Sequence, residues 1–282
     1  MKDLMIFTDP GLDDAIALTW LLERLPGGVT VDIVAVAGNV PAEDALSNVC
    51  QIVSELPSVR ADVYIWSSLS IEQNYEYNER IHGNAFQNKR QTSPLYRGDI
   101  MEDWHGEEAQ SDIDIIVIAA CTVLKSLVDA GKINGISRLV IMGGGVRESN
   151  YHGLEFNQMM DPEAFNYILN RYSSIAEVVS LESCRRPAYD CLSLDTGEFE
   201  TADSVLLSYI DSYKNNAIER NAARCIPYDL IAFLVYLKKE LFTFEKKHIL
   251  GATADVRAAV VTRGIESENS EFWKSILLEQ HF

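Results

Sequence analysis

The chain predicts an α/β fold: a mostly parallel central sheet flanked by helices on both faces, Rossmann-like in arrangement. Two observations carry this. Short β-rich apolar runs alternate with stretches whose apolar residues recur every three or four positions, the pattern of strand–helix–strand units. The composition, 47% hydrophobic and 23% charged over 282 residues, is that of a globular protein able to bury a large core. We read residues 1–282 as a single domain.

The elements follow in order. Leu4–Thr8 reads as a buried strand and Asp13 to Leu25 as a helix, stopped by Pro26-Gly27-Gly28. Val31–Ala37 is a second strand. A helix opens near Pro41, with Leu46, Val49, Cys50, Val53 and Leu56 on one face, and ends at Pro57. Ala61–Trp66 is a third strand. From 67 to 108 the chain is polar and aromatic with weak periodicity, which predicts a lid or insert containing some helix. Alternation resumes with the strand Ile113–Ala119, a helix through Leu127, and the strand Arg138–Met142, which ends at Gly143-Gly144-Gly145. Asp161-Pro162 starts a helix, as a capping acid followed by proline at the first helical position. Glu177–Leu181 is a further strand, and Ala202–Asn215 and Pro227–Leu241 are helices. The region after 242 is less regular and ends in a helix near Glu271–Glu279.

Charge and composition exclude several classes. With 24 basic and 42 acidic residues the net charge is −18, which repels a nucleic-acid backbone, and no basic patch compensates. No apolar run is long enough to span a membrane, and acidic residues interrupt the N-terminal apolar stretch too early for a signal peptide. Five widely spaced cysteines lack zinc-ligand spacing and read as reduced thiols of a cytoplasmic protein.

The strongest chemical signal is Thr8-Asp9-Pro10-Gly11-Leu12-Asp13-Asp14, directly after the first strand. Three carboxylates crowd the carboxyl end of that strand and the start of a helix, where ligands sit in such folds. Their mutual repulsion is relieved by a hard, oxygen-seeking cation, calcium or magnesium. Helix capping is the plainer reading, but a cap needs only one of these acids and leaves Asp9 unexplained. A phosphatase of the haloacid dehalogenase type wants a second Asp two residues after the first, and that position is Gly11. Gly38-Asn39, after the second strand, is either a turn or a ligand contact. The run Met142-Gly143-Gly144-Gly145 either lets backbone approach a ligand or forms a flexible turn. Asn150, Glu155 and Asn157 suit hydroxyl recognition.

Together, and in this order, these motifs with His82-Gly83 and Glu155-Phe156-Asn157…Asp161-Pro162-Glu163-Ala164 resemble the inosine-uridine nucleoside hydrolase family from about residue 4 to about residue 235. The resemblance implies a nucleoside hydrolase-like fold and hydrolysis of the N-glycosidic bond of ribonucleosides to free base and ribose. It implies one Ca2+ held by Asp9, Asp14, the Ala120 carbonyl and Asp229. Asp9 is implied as the base that takes a proton from the calcium-bound water. Asp13, Asn39, His82, Asn150, Glu155 and Asn157 are implied as substrate contacts. A small-molecule nucleoside partner, purine or pyrimidine salvage and a homo-oligomer, dimer or tetramer, follow from the same resemblance.

The chain departs from the family pattern in four places. Phe7 stands where an Asp is usual, two residues before Asp9. Tyr228, before Asp229, stands where His is common and is implied to protonate the leaving base. A free Tyr has a pKa near ~10 against ~6.5 for His, so it is the weaker acid. The residues after the Ile113–Ala119 strand lack the usual Leu-Thr-Asn, and those after His82-Gly83 lack a glycine-rich continuation. His82, His152, Arg220 and Arg224 are alternative acids. The competing class is a catalytically weak riboside-binding or regulatory protein on the same scaffold. A metal-dependent phosphohydrolase is disfavoured, since no GxxxxGK[ST] loop is present. Arg185-Arg186 could bind a phosphate or balance nearby acids.

Overall fold

A computed structural model describes residues 4–26, 28–56, 60–66, 86, 95–105, 113–199, 204–261 and 269–278. Among these, nine strands form one sheet in the order β4-β3-β2-β1-β5-β6-β7-β9-β8. The strands are β1 (Leu4–Thr8), β2 (Val31–Ala35), β3 (Ala61–Ile65), β4 (Tyr96–Asp99), β5 (Ile113–Val117), β6 (Ile136–Met142), β7 (Ala176–Val179), β8 (Phe242–His248) and β9 (Asp255–Val261). All neighbours pair in parallel except β8 with β9. The principal helices are α1 (Leu12–Arg24), α2 (Ala42–Ser54), α3 (Thr122–Asp129), α4 (Phe156–Met160), α5 (Pro162–Tyr172), α6 (Leu181–Cys184), α7 (Ser204–Glu219), α8 (Tyr228–Leu237) and α9 (Asn269–Leu278).

The two-faced burial follows from the strand sequences. In β1, Leu4 and Ile6 join a core with α1, α2, α7, α8 and α9. Met5 and Phe7 join a second core with α3 and α5 on the opposite face. Alternating side chains are therefore apolar throughout, as a strand covered on both faces requires. Phe7 is fully buried in that second core, so the position where the family often has an acid is an apolar prop beneath the sheet.

The helix start at Asp161-Pro162 is realised. Asp161 caps α5 by accepting the Ala164 N–H at 2.9 Å. Two expectations are corrected. Within the expected lid, Leu95–His105 packs on the sheet: Tyr96–Asp99 forms the edge strand β4, while Ile100 and Trp104 are buried. Trp104 Nε1 donates to Asp32 at 2.9 Å, which ties this segment under β2. The remainder of that stretch, with His82, lies outside the described residues, apart from Phe86. Residues 242–261, expected to be less regular, form an antiparallel hairpin, and the helix expected near Glu271–Glu279 is α9. The hairpin's strand β8, FTFEKKH, is largely exposed and ends in charged residues, and the apolar run of β9 is only the four residues 258–261, so the pair gave a weak strand signal.

Helix α8 matters most for function. Its sequence, YDLIAFLVYL, is apolar almost all round, and Leu230–Val235 are fully buried between α1 and the sheet. Such a helix belongs inside the molecule, and its single acid, Asp229, goes in with it. The C-terminal end is fastened by Arg138 on β6, which donates to the carbonyls of Val235 and Tyr236 at 2.7 Å each. Arg138 also pairs with the buried Glu177 at 2.8 Å. Arg138→Met strips those carbonyls of a charged donor and is expected to cost about 2–3 kcal/mol. Urea unfolding would measure it, and an unchanged midpoint would show that α8 is held by packing alone.

Candidate active site

Asp9, Asp13, Asp14, Asn39, Asn150, Glu155, Asn157 and Asp229 converge at the carboxyl ends of β1, β2 and β6, by the first turns of α1 and α8. Asp9 is the first residue after β1. Pro10-Gly11 then turns the chain into α1, whose first turn carries Asp13 and Asp14. Because α8 packs along α1, its first-turn Asp229 meets them. One carboxylate oxygen from each of Asp13, Asp14 and Asp229 lies within 4.8 Å of the others. All three are buried, as is Asp9.

Each acid is held differently. Asp14 accepts from Thr8 Oγ1 at 2.6 Å and the Gly11 N–H at 2.9 Å, and Asn39 Nδ2 reaches it at 3.3 Å. It therefore caps α1 while serving the cluster, so the two readings of the motif are both true of one residue. Asp9 accepts the Asn39 N–H at 2.6 Å through Oδ2, while its Oδ1 is buried without a hydrogen-bond partner among the described residues. A Cβ on Gly38 would sit 1.8 Å from Asp9 Oδ2, which explains the glycine. Burial, then the charge of Asp14, pushes the Asp9 carboxyl well above the usual carboxylate range, against the Asn39 hydrogen bond. Burial and the charges of Asp14, Asp13 and Asp9 do the same to Asp229.

Beside this cluster lies a cavity of about 120 Å³, lined by Asp13, Asn39, Ile118, Met142, Asn150, Glu155, Phe156, Asn157, Tyr213, Tyr228 and Asp229. Five of the proposed substrate contacts share it: Asp13, Asn39, Asn150, Glu155 and Asn157. Ala120 is buried at the end of β5 but does not line it, and Ile118 from the same segment does. Glu155 caps α4, accepting the N–H groups of Asn157 and Gln158 at 3.0 Å each, and also holds the Gly144 N–H at 3.0 Å. Burial raises its pKa despite those backbone hydrogen bonds. The glycine run is a packed corner: Gly144 has φ +73° and a Cβ there would meet Ile249 at 2.6 Å. Asn157 Nδ2 donates to the Met142 carbonyl at 3.3 Å.

Tyr228, half-buried, accepts a hydrogen bond from Arg185 Nε at 3.3 Å. Burial raises its pKa, and Arg185 pulls it back. Arg185 also pairs with Glu148, so it balances an acid. His152 is exposed at φ +44° with its ring against Tyr151. Arg220 is exposed and donates to Asn216 at 2.8 Å, and Arg224 is exposed, so neither lines the cavity. Sequence reasoning missed Thr8, Tyr213 and the contact of Arg185 with Tyr228. Thr8 opens the motif but was given no role, whereas Tyr213 sits in the amphipathic α7 with no local signal.

The comparisons with known proteins agree with this architecture. The family model described as "Inosine-uridine preferring nucleoside hydrolase" matches residues 4–272, so the chain belongs to that family, whose members are hydrolases acting on N-glycosyl bonds. The match extends past the expected limit near 235 and takes in the β8–β9 hairpin. The inosine-uridine preferring nucleoside hydrolase from Bacillus anthracis superposes with a TM-score of 0.72 at 17% identity, covering 97% of this chain and 99% of that one. The purine-preferring ribonucleoside hydrolase from Gardnerella vaginalis gives 0.70 at 19% identity, covering 98% and 96%. The type III effector protein XopQ, solved with adenosine diphosphate ribose, gives 0.67 at 16% identity, covering 98% and 94%. These likenesses show a shared fold. No curated protein matches the chain by sequence.

The donor set suits a hard divalent cation. It offers three converging buried carboxylates and, on Asp9, one buried oxygen with no donor. The raised carboxyl pKa values fix the sign of the effect. A carboxyl whose folded pKa lies above its unfolded value weakens the fold where it is ionised, and that cost is relieved as pH falls through the folded pKa. Asp229→Asn is therefore expected to raise the melting temperature in chelator at pH 7.5. In excess calcium it should lower it relative to wild type, because a bound ion stabilises only the intact site. Calorimetry with and without calcium tests both signs, and a melting temperature indifferent to calcium in the wild type would remove the metal reading.

Proposed function

We propose that this chain hydrolyses ribonucleosides to free base and ribose, with Ca2+ held by Asp9, Asp14 and Asp229 together with a backbone carbonyl near Ala120. The observation that carries the reading is the meeting of Asp13, Asp14 and Asp229, two of which, Asp13 and Asp229, line a cavity shared with Asn39, Asn150, Glu155 and Asn157. When bound, calcium supplies a Lewis acid that makes water a better nucleophile near neutral pH.

The chain's own residues do the rest. Asp9, which keeps one buried oxygen without a hydrogen-bond partner among the described residues, takes the proton from the attacking water. Asp13, Asn39, Asn150 and Asn157 hold the ribose hydroxyls, so that water meets the anomeric carbon in line with the breaking C–N bond. Positive charge grows on the sugar as that bond breaks, and the carboxylate-rich floor stabilises it. Tyr228 gives the departing base its proton. Glu155 acts mainly by holding the Gly144 corner, since its oxygens already accept three backbone N–H groups. His82 is kept as a substrate contact on the family motif alone. The five cysteines, all buried and none in a disulfide, support a cytoplasmic protein. Among the described residues no helix is long and apolar enough to cross a membrane. A role in salvage and a dimeric or tetrameric state extend the family reading.

The second reading is riboside binding with weak turnover. Tyr228 favours it, because burial makes this phenol a poorer acid. The effector solved with adenosine diphosphate ribose supports a wider class of ribosyl ligands on the scaffold. Purified protein incubated with a panel of ribonucleosides decides between the two. The hydrolase releases ribose, loses it in chelator and regains it with calcium. Asp9→Asn is expected to lower kcat by about 10²–10⁴-fold while nucleoside binding persists. Tight binding of a riboside without ribose release would establish the second reading instead.

A further inference from the structure

The loop after β6, residues 145–150, is joined to α6 in two ways. Glu182 accepts the backbone N–H groups of Val146, Arg147 and Glu148 at 2.6–3.0 Å. Three residues further on, Arg185 pairs with the Glu148 side chain. The first contact fixes the backbone that carries Glu148, and the second fixes the guanidinium against it. Arg185 then has one direction left for Nε, and it donates to the Tyr228 hydroxyl at 3.3 Å. A guanidinium has five N–H donors and no acceptor. Tyr228 is therefore the acceptor in this contact, and its own proton must point to another group. Tyr228 lines the cavity beside Asn150 and Asp229.

We propose that Arg185, seated by Glu148, is a positioning residue that holds the Tyr228 hydroxyl as a hydrogen-bond donor toward the departing base. The inference rests on the hydrolase reading above and deepens it. As the C–N bond breaks, its electron pair goes to the base and the Tyr228 proton goes with it. Water adds to the anomeric carbon and gives its proton to Asp9. Solvent returns a proton to the hydroxyl and accepts one from Asp9 at the end of the cycle. Without Arg185 the phenol oxygen is free to donate in either direction, and fewer encounters have the proton on the base side. Arg185 does not line the cavity and reaches it only through Tyr228, so its effect scales with how much the leaving group needs a proton.

That dependence supplies the test. Steady-state rates are measured on uridine and inosine, which leave as poor anions, and on 4-nitrophenyl β-ribofuranoside, whose phenolate leaves without a proton. Arg185→Met is expected to lower kcat on the nucleosides about 10- to 100-fold with little change in KM, and on the nitrophenyl riboside by less than about threefold. Tyr228→Phe should show the same selectivity, and adding R185M to Y228F should cost nothing further. Arg185→Lys, which keeps a donor but loses the fork, should recover part of the loss. Glu148→Gln should show the same selectivity to a smaller degree, and it gives the readout if R185M fails to fold. Equal losses on both substrate classes, or losses that multiply in the double variant, overturn the proposal and leave Arg185 a structural ion pair. Cleavage of the nitrophenyl riboside alone by the wild type also overturns it, since no proton donor is then at work. Release of ribose from neither substrate refutes the hydrolase reading itself, and the proposal falls with it.

Discussion

Four buried carboxylates at one end of a parallel sheet are the constraint around which this molecule is arranged. Asp9, Asp13, Asp14 and Asp229 are all buried, and at Asp9 and Asp229 burial and the neighbouring charges both disfavour ionisation. Three features make the crowding tolerable. The N-termini of α1 and α8 face the cluster, with the positive ends of their dipoles toward it. Neutral donors, namely Thr8, Gly11 and Asn39, take up individual oxygens. Asp9 Oδ1, buried without a hydrogen-bond partner among the described residues, is an oxygen at which a cation has most to gain. The apolar core serves this arrangement directly, because the hydrophobicity of α8 carries Asp229 into the interior.

The cavity wall is built by a second set of decisions, mostly about backbone. Gly38 has no side chain because Asp9 occupies the space. Gly144 takes a left-handed conformation against Ile249, so the chain leaving β6 turns sharply, and Glu155 locks the turn to α4. One consequence is that Glu155, Asn157 and Asn150, which follow β6 within fifteen residues, face the acids that follow β1. Residues that look like ligand contacts in the sequence are here partly fasteners. Glu155 spends its oxygens on three backbone N–H groups, and Asn157 reaches the Met142 carbonyl.

The alternation that defines the fold was legible because the strands covered on both faces are short, largely apolar runs interrupted by no more than one acid. So was the first-strand motif, since acids at a strand end have few structural uses. What escaped reading escaped for physical reasons. β4 and β8 lie at the sheet margins, where only one side of a strand meets protein, so short or charged sequences suffice and no apolar run announces them. The glycine corner was ambiguous because a sequence does not say what a missing Cβ would strike. The Arg185–Tyr228 contact joins residues 43 apart through a loop and a helix start, a distance over which periodicity carries no information. Phe7 illustrates the opposite case. Its departure from the family pattern was plain, yet its meaning came only with the second core, where an aromatic ring stands beneath the sheet.

The margins of the sheet carry one more consequence. Among the described residues, one border is the four-residue β4, whose Arg97 pairs with Asp62 at 2.6 Å. The other is β8, which presents Glu245, Lys246 and Lys247 in succession. Short borders and lysine-bearing borders resist the docking of a further strand. Growth of the sheet from one molecule into the next is thereby discouraged at both ends. Among the described residues, then, the strand ladder ends within one molecule at both borders and is not built to serve as a seam between copies.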